Sequence, residues 1–189
     1  MIDAGQPVHD FDAFFEDAYD RAVRMATMML VGDRPQAEDI VSDVFLTAYK
    51  QWSSIDNPYK WLTAVIARRV IKASESSRRR QPILGRLWAS STSSEPAESD
   101  PVALAEQRED VRRVMKALAL LPPQQRAVAV LWWLHDWQQK DIAHFLHIRP
   151  TTVSTHIRRA EETLRRSFGE RGESLNYFSG AVGKEGEAL

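Results

Sequence analysis

The sequence contains no cysteine. That absence excludes a disulfide framework, a thiolate metal site and a cysteine nucleophile, and it moves any redox sensing to a partner. No run approaches the roughly 18 consecutive apolar residues that a membrane span needs. The segment Met1 to Asp12 is acidic and lacks the apolar core of a secretory leader. A cytoplasmic protein without membrane insertion is expected. The 5 histidines are scattered, no glycine-rich phosphate loop is present, and no His/Asp/Glu set has metal-ligand spacing or the pairing of nucleophile with base. Neither an enzyme nor a cofactor or metal carrier is expected. Glu38-Asp39 and Asp43 read as the charged face of a helix.

The 189 residues, 43% of them hydrophobic, suffice for one medium core or two small ones. The formal net charge of -1 conceals an asymmetry. Residues 1–60 carry 11 acidic and 5 basic side chains. Residues 61–102 carry 7 basic and 4 acidic, with every basic one between Arg68 and Arg86, and residues 103–168 carry 11 basic and 7 acidic. An acidic front followed by two basic zones implies different partners for different segments.

Apolar residues recur at three and four places over long segments, and no segment alternates as a strand would, so the chain is expected to be all-α. Phe11, Phe14, Phe15, Ala18, Tyr19, Ala22, Val23, Ala26, Met29 and Leu30 form one stripe closed by Gly32. A second helix is predicted from Pro35 to Trp52 with Ile40, Val41, Val44, Phe45, Ala48 and Tyr49 inward. Asn57 before Pro58 pairs a cap residue with a proline at the first helical position, opening a third helix to about Ser76. Residues 81–102 turn to Ser, Pro, Gly and Thr and read as a flexible linker. A second helical block follows: Pro101 to Leu121, Pro122-Pro123 to about Trp133, Gln138 to Leu146, and Pro150 to Phe168. Residues 169–189 read as a disordered tail.

Two segments carry chemistry. Gln139-Lys140-Asp141-Ile142-Ala143-His144-Phe145-Leu146 forms a short helix, and His147-Ile148-Arg149 turns into Pro150 to Ala160. Ala143 facing Val153 and Ile157 suits the close crossing of a helix-turn-helix, whose second helix enters the DNA major groove. Arg149, Thr151, Thr152, Ser154, Thr155, His156, Arg158 and Arg159 are the candidate contacts, with Ser154 to His156, Arg158 and Arg159 on the side away from Val153 and Ile157. The alternative is a helical hairpin with a solvated basic face. His147 stands where glycine is usual in such a turn. In the first block, Trp61, Arg68, Arg69 and Lys72 interleave an aromatic with cations, a pattern suited to unpaired bases and phosphates. The alternative there is that Trp61 and Trp52 are core and the arginines a solvated end.

In order, these segments resemble the extracytoplasmic-function sigma factors of bacterial RNA polymerase. Ala37 to Tyr49 is similar to the family's region 2.2, and Trp61 to Arg68 to its regions 2.3 to 2.4. Leu118-Ala119-Leu120-Leu121-Pro122-Pro123-Gln124-Gln125-Arg126 is similar to the start of region 4, and the helix-turn-helix to region 4.2. The resemblance spans about residues 10 to 168. It implies two small helical domains, residues 1–80 and 103–168, around the linker. The first would dock on the clamp helices of the polymerase largest subunit through Asp39, Asp43, Phe45, Leu46 and Gln51, although Phe45 reads equally as core. With Asn57, Tyr59, Trp61, Arg68, Arg69 and Lys72 it would capture a base from the non-template strand of the -10 element and promote melting. The second would read the -35 element as duplex and meet the polymerase flap. An anti-sigma factor is the implied regulator. The chain departs from the family pattern at Arg69, where asparagine is common, and at His156, where arginine is common. The rival reading is a helix-turn-helix regulator that does not bind core polymerase; it explains the second block and leaves the first unexplained.

Overall fold

A computed structural model describes residues 11–80 and 111–168. The predicted linker, the start of the helix expected from Pro101 and the predicted tail lie outside the described residues. The described residues form helices joined by short turns, with no strand among them.

The first helix, α1, spans Phe11–Met29. Its buried side Phe14, Ala18, Ala22, Val23, Met25, Ala26 and Met29 follows the three-four period. The chain then reverses through two positive-φ residues, Val31 at 58° and Gly32 at 90°. The Gly32 N–H returns to the Thr27 carbonyl at 2.9 Å, satisfying an acceptor that the helix end would otherwise leave without a partner. Asp33 then caps α2, Arg34–Lys50, by accepting from the Gln36 N–H at 3.2 Å. α2 stops two residues before the predicted Trp52, and Trp52–Ser54 form a 3-10 turn instead. α3 spans Pro58–Arg80, and the Asn57 side chain accepts from the Lys60 N–H at 3.0 Å, the cap that the sequence predicts. It runs past Ser76 because no breaker occurs before Gln81-Pro82, and the residue preceding a proline disfavours helix.

Alanines let these helices approach closely: Ala18, Ala22 and Ala26 on α1, Ala37 and Ala48 on α2, Ala64 and Ala67 on α3 are all buried. Larger side chains fill what remains, with Val41, Val44 and Phe45 meeting Ile66 and Val70 in one cluster. At the open end Phe11, Phe14, Phe45 and Trp52 stack at centroid distances of 5.0 to 6.3 Å. Tyr49, predicted to face inward, is instead 64% exposed and touches only the rim of this cluster, edge-on to Phe11 at 5.1 Å. Tyr59 ties the start of α3 to α1: its ring lies edge-on to Phe14 at 4.9 Å and its hydroxyl donates to Asp17 Oδ2 at 2.5 Å. Asp17 also pairs with Arg21.

The second half contains a helix over 111–119 (α4), then α5, Pro123–Trp133, α6, Gln139–Leu146, and α7, Pro150–Phe168. Nearly all of α5 is buried, from Arg126 to Trp133 with the exception of half-buried Trp132. Between α6 and α7, His147 takes the left-handed conformation, φ 55° and ψ 42°. The Ile148 N–H closes on the Ala143 carbonyl at 3.0 Å. This is the turn in which glycine is usual, and a non-glycine residue there costs about 1 kcal/mol.

The two halves pack against each other, and their buried side chains form one continuous cluster. α5 lies against α1 and α3, and α6 against α3. Arg126, only 8% exposed, donates from its guanidinium to the carbonyls of Leu118 at 2.9 Å, Leu121 at 2.9 Å and, across the halves, Met29 at 2.8 Å.

Two predictions follow from this packing. Truncating fully buried Leu131 in α5 to alanine is expected to cost about 2–5 kcal/mol of unfolding free energy in a denaturant titration, whereas Leu120→Ala, at an exposed site, changes it by less than about 0.5 kcal/mol. The second concerns the α1–α3 tether. The Tyr59 hydroxyl donates to the charged form of Asp17 and, with Arg21 assisting, holds that carboxyl below its ordinary 3.8. The same bond, with burial, holds the Tyr59 phenol above its ordinary 10.0. The tether therefore stabilises the fold above the ordinary carboxylate value and is lost as pH falls through Asp17's depressed one. At the alkaline end it is intact below the ordinary phenol value and is lost as pH rises through Tyr59's raised one. In Tyr59→Phe the Asp17 carboxyl should titrate at higher pH by NMR, and an unmoved titration would refute the coupling.

Candidate nucleic-acid interface

The candidate residues fall on three surfaces. On α2, Asp39, Asp43 and Leu46 recur at four and three places and form one exposed stripe, with Leu46 60% exposed and Gln51 exposed beyond the helix end. Phe45, one residue from Leu46, is 3% exposed and surrounded by Phe11, Phe14, Phe15 and Tyr19. Of its two readings the core one holds, because a side chain closed in by four rings has no face left for a partner. The acidic stripe is joined to α3 through Arg69, which donates to Asp43 Oδ2 at 3.2 Å and to Thr47 Oγ1 at 3.4 Å.

On α3 and the loop before it, Asn57 is engaged as a helix cap and Tyr59 as the tether to Asp17, both remaining exposed. Trp61 is half-buried and packs on the core with one side, so its core and contact readings are compatible. Lys72 is exposed. Arg68 points toward the second half, its Nη1 2.7 Å from His147 Nε2. A guanidinium carries donors only, so in this contact the imidazole nitrogen is the acceptor. Arg68 and Arg69, adjacent in sequence, thus turn to different neighbours.

On α7, Val153, Ala160 and Leu164 are buried toward α5 and α6, while Arg149, Thr151, Ser154, Arg158 and Arg159 are exposed. Thr152 and Thr155 are half-buried. The Thr155 hydroxyl donates to the Thr151 carbonyl at 2.8 Å, and Ser154 Oγ lies 2.6 Å from Gln139 Oε1, stitching α7 to the start of α6. His156 departs from the outward placement predicted for it: both ring nitrogens are shielded from solvent and have no hydrogen-bond partner. Burial, and secondarily the Arg159 charge, hold its pKa below the ordinary 6.5, which leaves the ring uncharged at neutral pH. The cations of this face are therefore Arg149, Arg158 and Arg159, continued along the helix by Arg165 and Arg166.

Sequence reasoning missed Asp17 and Arg21, which position Tyr59, and Gln139, which positions Ser154. It also missed Lys60, whose Nζ pairs with Asp141 Oδ2 of α6 at 3.0 Å. Arg126 carried one signal, a charge embedded in the apolar run that begins after Pro122-Pro123.

Comparison with known proteins matches both halves. The Sigma-70 region 2 family model matches residues 14–80, and the Sigma-70 region 4 model residues 112–164. The ECF RNA polymerase sigma factor SigL of Mycobacterium tuberculosis is 30% identical over 149 residues, covering 77% of this chain and 81% of that protein. SigX of Bacillus subtilis, an ECF RNA polymerase sigma factor, is 25% identical over 169 residues, covering 87% and 84% respectively. The probable RNA polymerase sigma factor RfaY of Xanthomonas campestris is 23% identical over 162 residues, which are 84% of this chain but only 40% of RfaY. In three dimensions the chain resembles the sigma factor RpoE of Bartonella quintana, solved in complex with the anti-sigma factor NepR, with a TM-score of 0.65, 19% identity and coverage of 87% of this chain and 99% of that one. The order of the two matched regions, the helix-turn-helix geometry and the identity to SigL over most of both chains place this protein in the extracytoplasmic-function family of RNA polymerase sigma factors.

Proposed function

We propose that the chain's two halves divide promoter recognition between them, each using the surfaces just described. As a sigma factor the chain directs RNA polymerase to promoters, and the nucleotide-adding site belongs to the polymerase. The regulator reading is not favoured, because the region 2 match over 14–80 covers the half that it leaves unexplained. No helix among the described residues is long and apolar enough to cross a membrane.

The observation that carries the proposal is the α2 stripe: Leu46 stands 60% exposed beside Asp39 and Asp43 on a helix whose other face is core. An exposed leucine set among carboxylates suits a basic partner surface with an apolar pocket, which the polymerase clamp helices would supply. Gln51 extends that contact, and the flap would meet the second half.

The loop before α3 and the α3 edge with Asn57, Tyr59, Trp61, Arg68 and Lys72 would hold the non-template strand of the -10 element. Stacking on an aromatic is worth about 1–3 kcal/mol per base, comparable to the few kcal/mol needed to unstack one, so binding by itself can favour the open strand. Arg69 is engaged by Asp43 and would contribute to this strand only after leaving that pair.

The α7 face would read the -35 element, with Arg149, Thr151, Thr152, Ser154 and Thr155 near the bases and Arg158 and Arg159 at phosphates. Arg158 is paired with Glu162 at 2.5 Å, and Arg165 with Glu161 at 2.7 Å. Such exposed i,i+4 pairs are worth only about 0.3–0.5 kcal/mol, so they yield readily to phosphate. An uncharged, shielded His156 contributes packing to this face in place of a guanine contact. An anti-sigma factor is proposed as the regulator, supported by the likeness to RpoE, whose solved complex contains one.

Leu46→Glu should weaken binding to core RNA polymerase by about tenfold or more in fluorescence anisotropy, a loss of about 1.4 kcal/mol, while leaving helicity unchanged. Binding at full strength would remove α2 from the docking surface. Arg159→Ala should lower affinity for upstream-element duplex and reduce the slope of log K against log salt by about 1. A slope identical to the parent's would show that Arg159 does not reach phosphate.

A further inference from the structure

α1 carries charged side chains that none of the three proposed contact surfaces includes. Asp17, Arg21 and Arg24 recur at four and three places and are exposed, so they line one side of the helix. That side meets the start of α3. Tyr59, the first aromatic of the edge proposed for the -10 strand, donates its hydroxyl to Asp17 Oδ2 at 2.5 Å. The Arg21 guanidinium lies over the Tyr59 ring, its Cζ 5.7 Å from the centroid, and Phe14 meets the same ring edge-on at 4.9 Å. The ring is thus held at its hydroxyl, over one face and against a neighbouring ring, yet the residue is 45% exposed.

The same carboxylate orients Arg21. Its Nε–H donates to the Asp17 carbonyl at 3.2 Å, and Nη2 donates to Asp17 Oδ2. A guanidinium carries its N–H donors in a planar fork, and neither contact uses Nη1. Arg21 can therefore take a phosphate oxygen through Nη1 without leaving Asp17, whereas Arg69 has both Nη1 and Nη2 engaged by α2. The Arg21 side chain is 56% exposed, so a ligand has access to it. An i,i+4 pair by itself would read as a solvated helix face. The Tyr59 ring makes the difference, because a cation fixed beside an exposed aromatic suits single-stranded nucleic acid: the ring takes a base face and the cation the adjoining phosphate. Arg24 sets a second cation about 4.5 Å further along the helix axis.

We infer that the strand-binding edge extends from α3 onto α1: Arg21, followed by Arg24, contacts the phosphodiester backbone of the non-template strand beside Tyr59, and Asp17 is the positioning residue that fixes both the ring and the guanidinium. This inference rests on the assignment of Tyr59 and α3 to the -10 strand. The occupant is single-stranded DNA, because a duplex keeps its bases stacked on one another and offers the Tyr59 ring no base face. A carboxylate this close to a phosphate repels it. Asp17 is accounted for by what it holds.

The test uses the full chain assembled with core RNA polymerase, and a promoter fragment from a site at which the parent holoenzyme starts transcripts, with its -10 segment mismatched so that the non-template strand is unpaired. Arg21→Ala should weaken binding of this fragment about threefold or more and reduce the slope of log K against log salt by about 0.7, the value for one phosphate on a single strand. Its affinity for core polymerase should equal the parent's. An unchanged slope would overturn the phosphate contact, and a loss confined to core-polymerase affinity would move this side of α1 to the docking surface and overturn it as well. Asp17→Ala gives a test of sign. Losing a carboxylate that merely neighboured the strand would tighten binding, whereas losing a positioning residue should weaken it about threefold. Asp17→Asn, which keeps an oxygen acceptor for the Tyr59 hydroxyl, should recover most of that loss. Tighter binding by Asp17→Ala would overturn the positioning role; should that variant lose helicity by circular dichroism, the Arg21→Ala slope decides alone. Lys72→Ala, on the edge already assigned to the strand, separates the two levels of the argument. If it lowers the slope and Arg21→Ala does not, the extension onto α1 falls and the α3 assignment stands; if neither lowers it, both fall.

Discussion

The arrangement of this chain depends on one buried guanidinium. Arg126 sits at 8% exposure, where an uncompensated charge would cost several kcal/mol, and it is tolerated because three backbone carbonyls converge on it. Two of them, Met29 and Leu118, lie in the last turns of α1 and α4, where carbonyls have no acceptor role within the helix and the helix dipole is negative. The planar, forked donor set of arginine reaches acceptors on three separate segments, which a lysine ammonium could do only as a point charge. One side chain thereby completes two helix ends, the α4–α5 connection and the seam between the halves.

Given that seam, the roles of the surface side chains sort by what holds them. Tyr59 is fixed by Asp17 and Phe14 and Ser154 by Gln139, neighbours on other helices, whereas Arg69 is tied up by Asp43. Arg158 and Arg165 are held, among the described residues, by carboxylates on their own helix, in pairs too weak to compete with a phosphate. Family membership explains why an acidic helix, an edge of aromatic and basic side chains and a helix-turn-helix occur in this order. The structure adds that the last two meet.

Much of the fold was legible because it is local. The stripe from Phe11 to Leu30, the Asn57-Pro58 start and the small Ala143 opposite Val153 each report on a few neighbouring residues, and the helices follow. The left-handed turn was legible as a position before it was legible as a residue: the motif requires it at His147, and the structure accepts the strain there. Boundaries moved where local signals were weak, as at the end of α3, which continues until Gln81-Pro82 comes into view.

What the sequence by itself determined is the helical class, the order of the motifs and the family, since these follow from periodicity, capping and spacing along one chain. Only the tertiary structure decided which sides of the stripes are covered. Phe45 and Tyr49 share a helical stripe, yet one is 3% and the other 64% exposed, because the aromatic cluster closes over the first and ends at the second. His156 was turned from an outward contact into a shielded ring, and Arg126 from one basic residue among many into the fastening between halves. For Phe45 and Arg126 the outcome depends on atoms tens of residues away in sequence. Burial and hydrogen bonding are properties of what lies across a helix, and periodicity records only what lies along it.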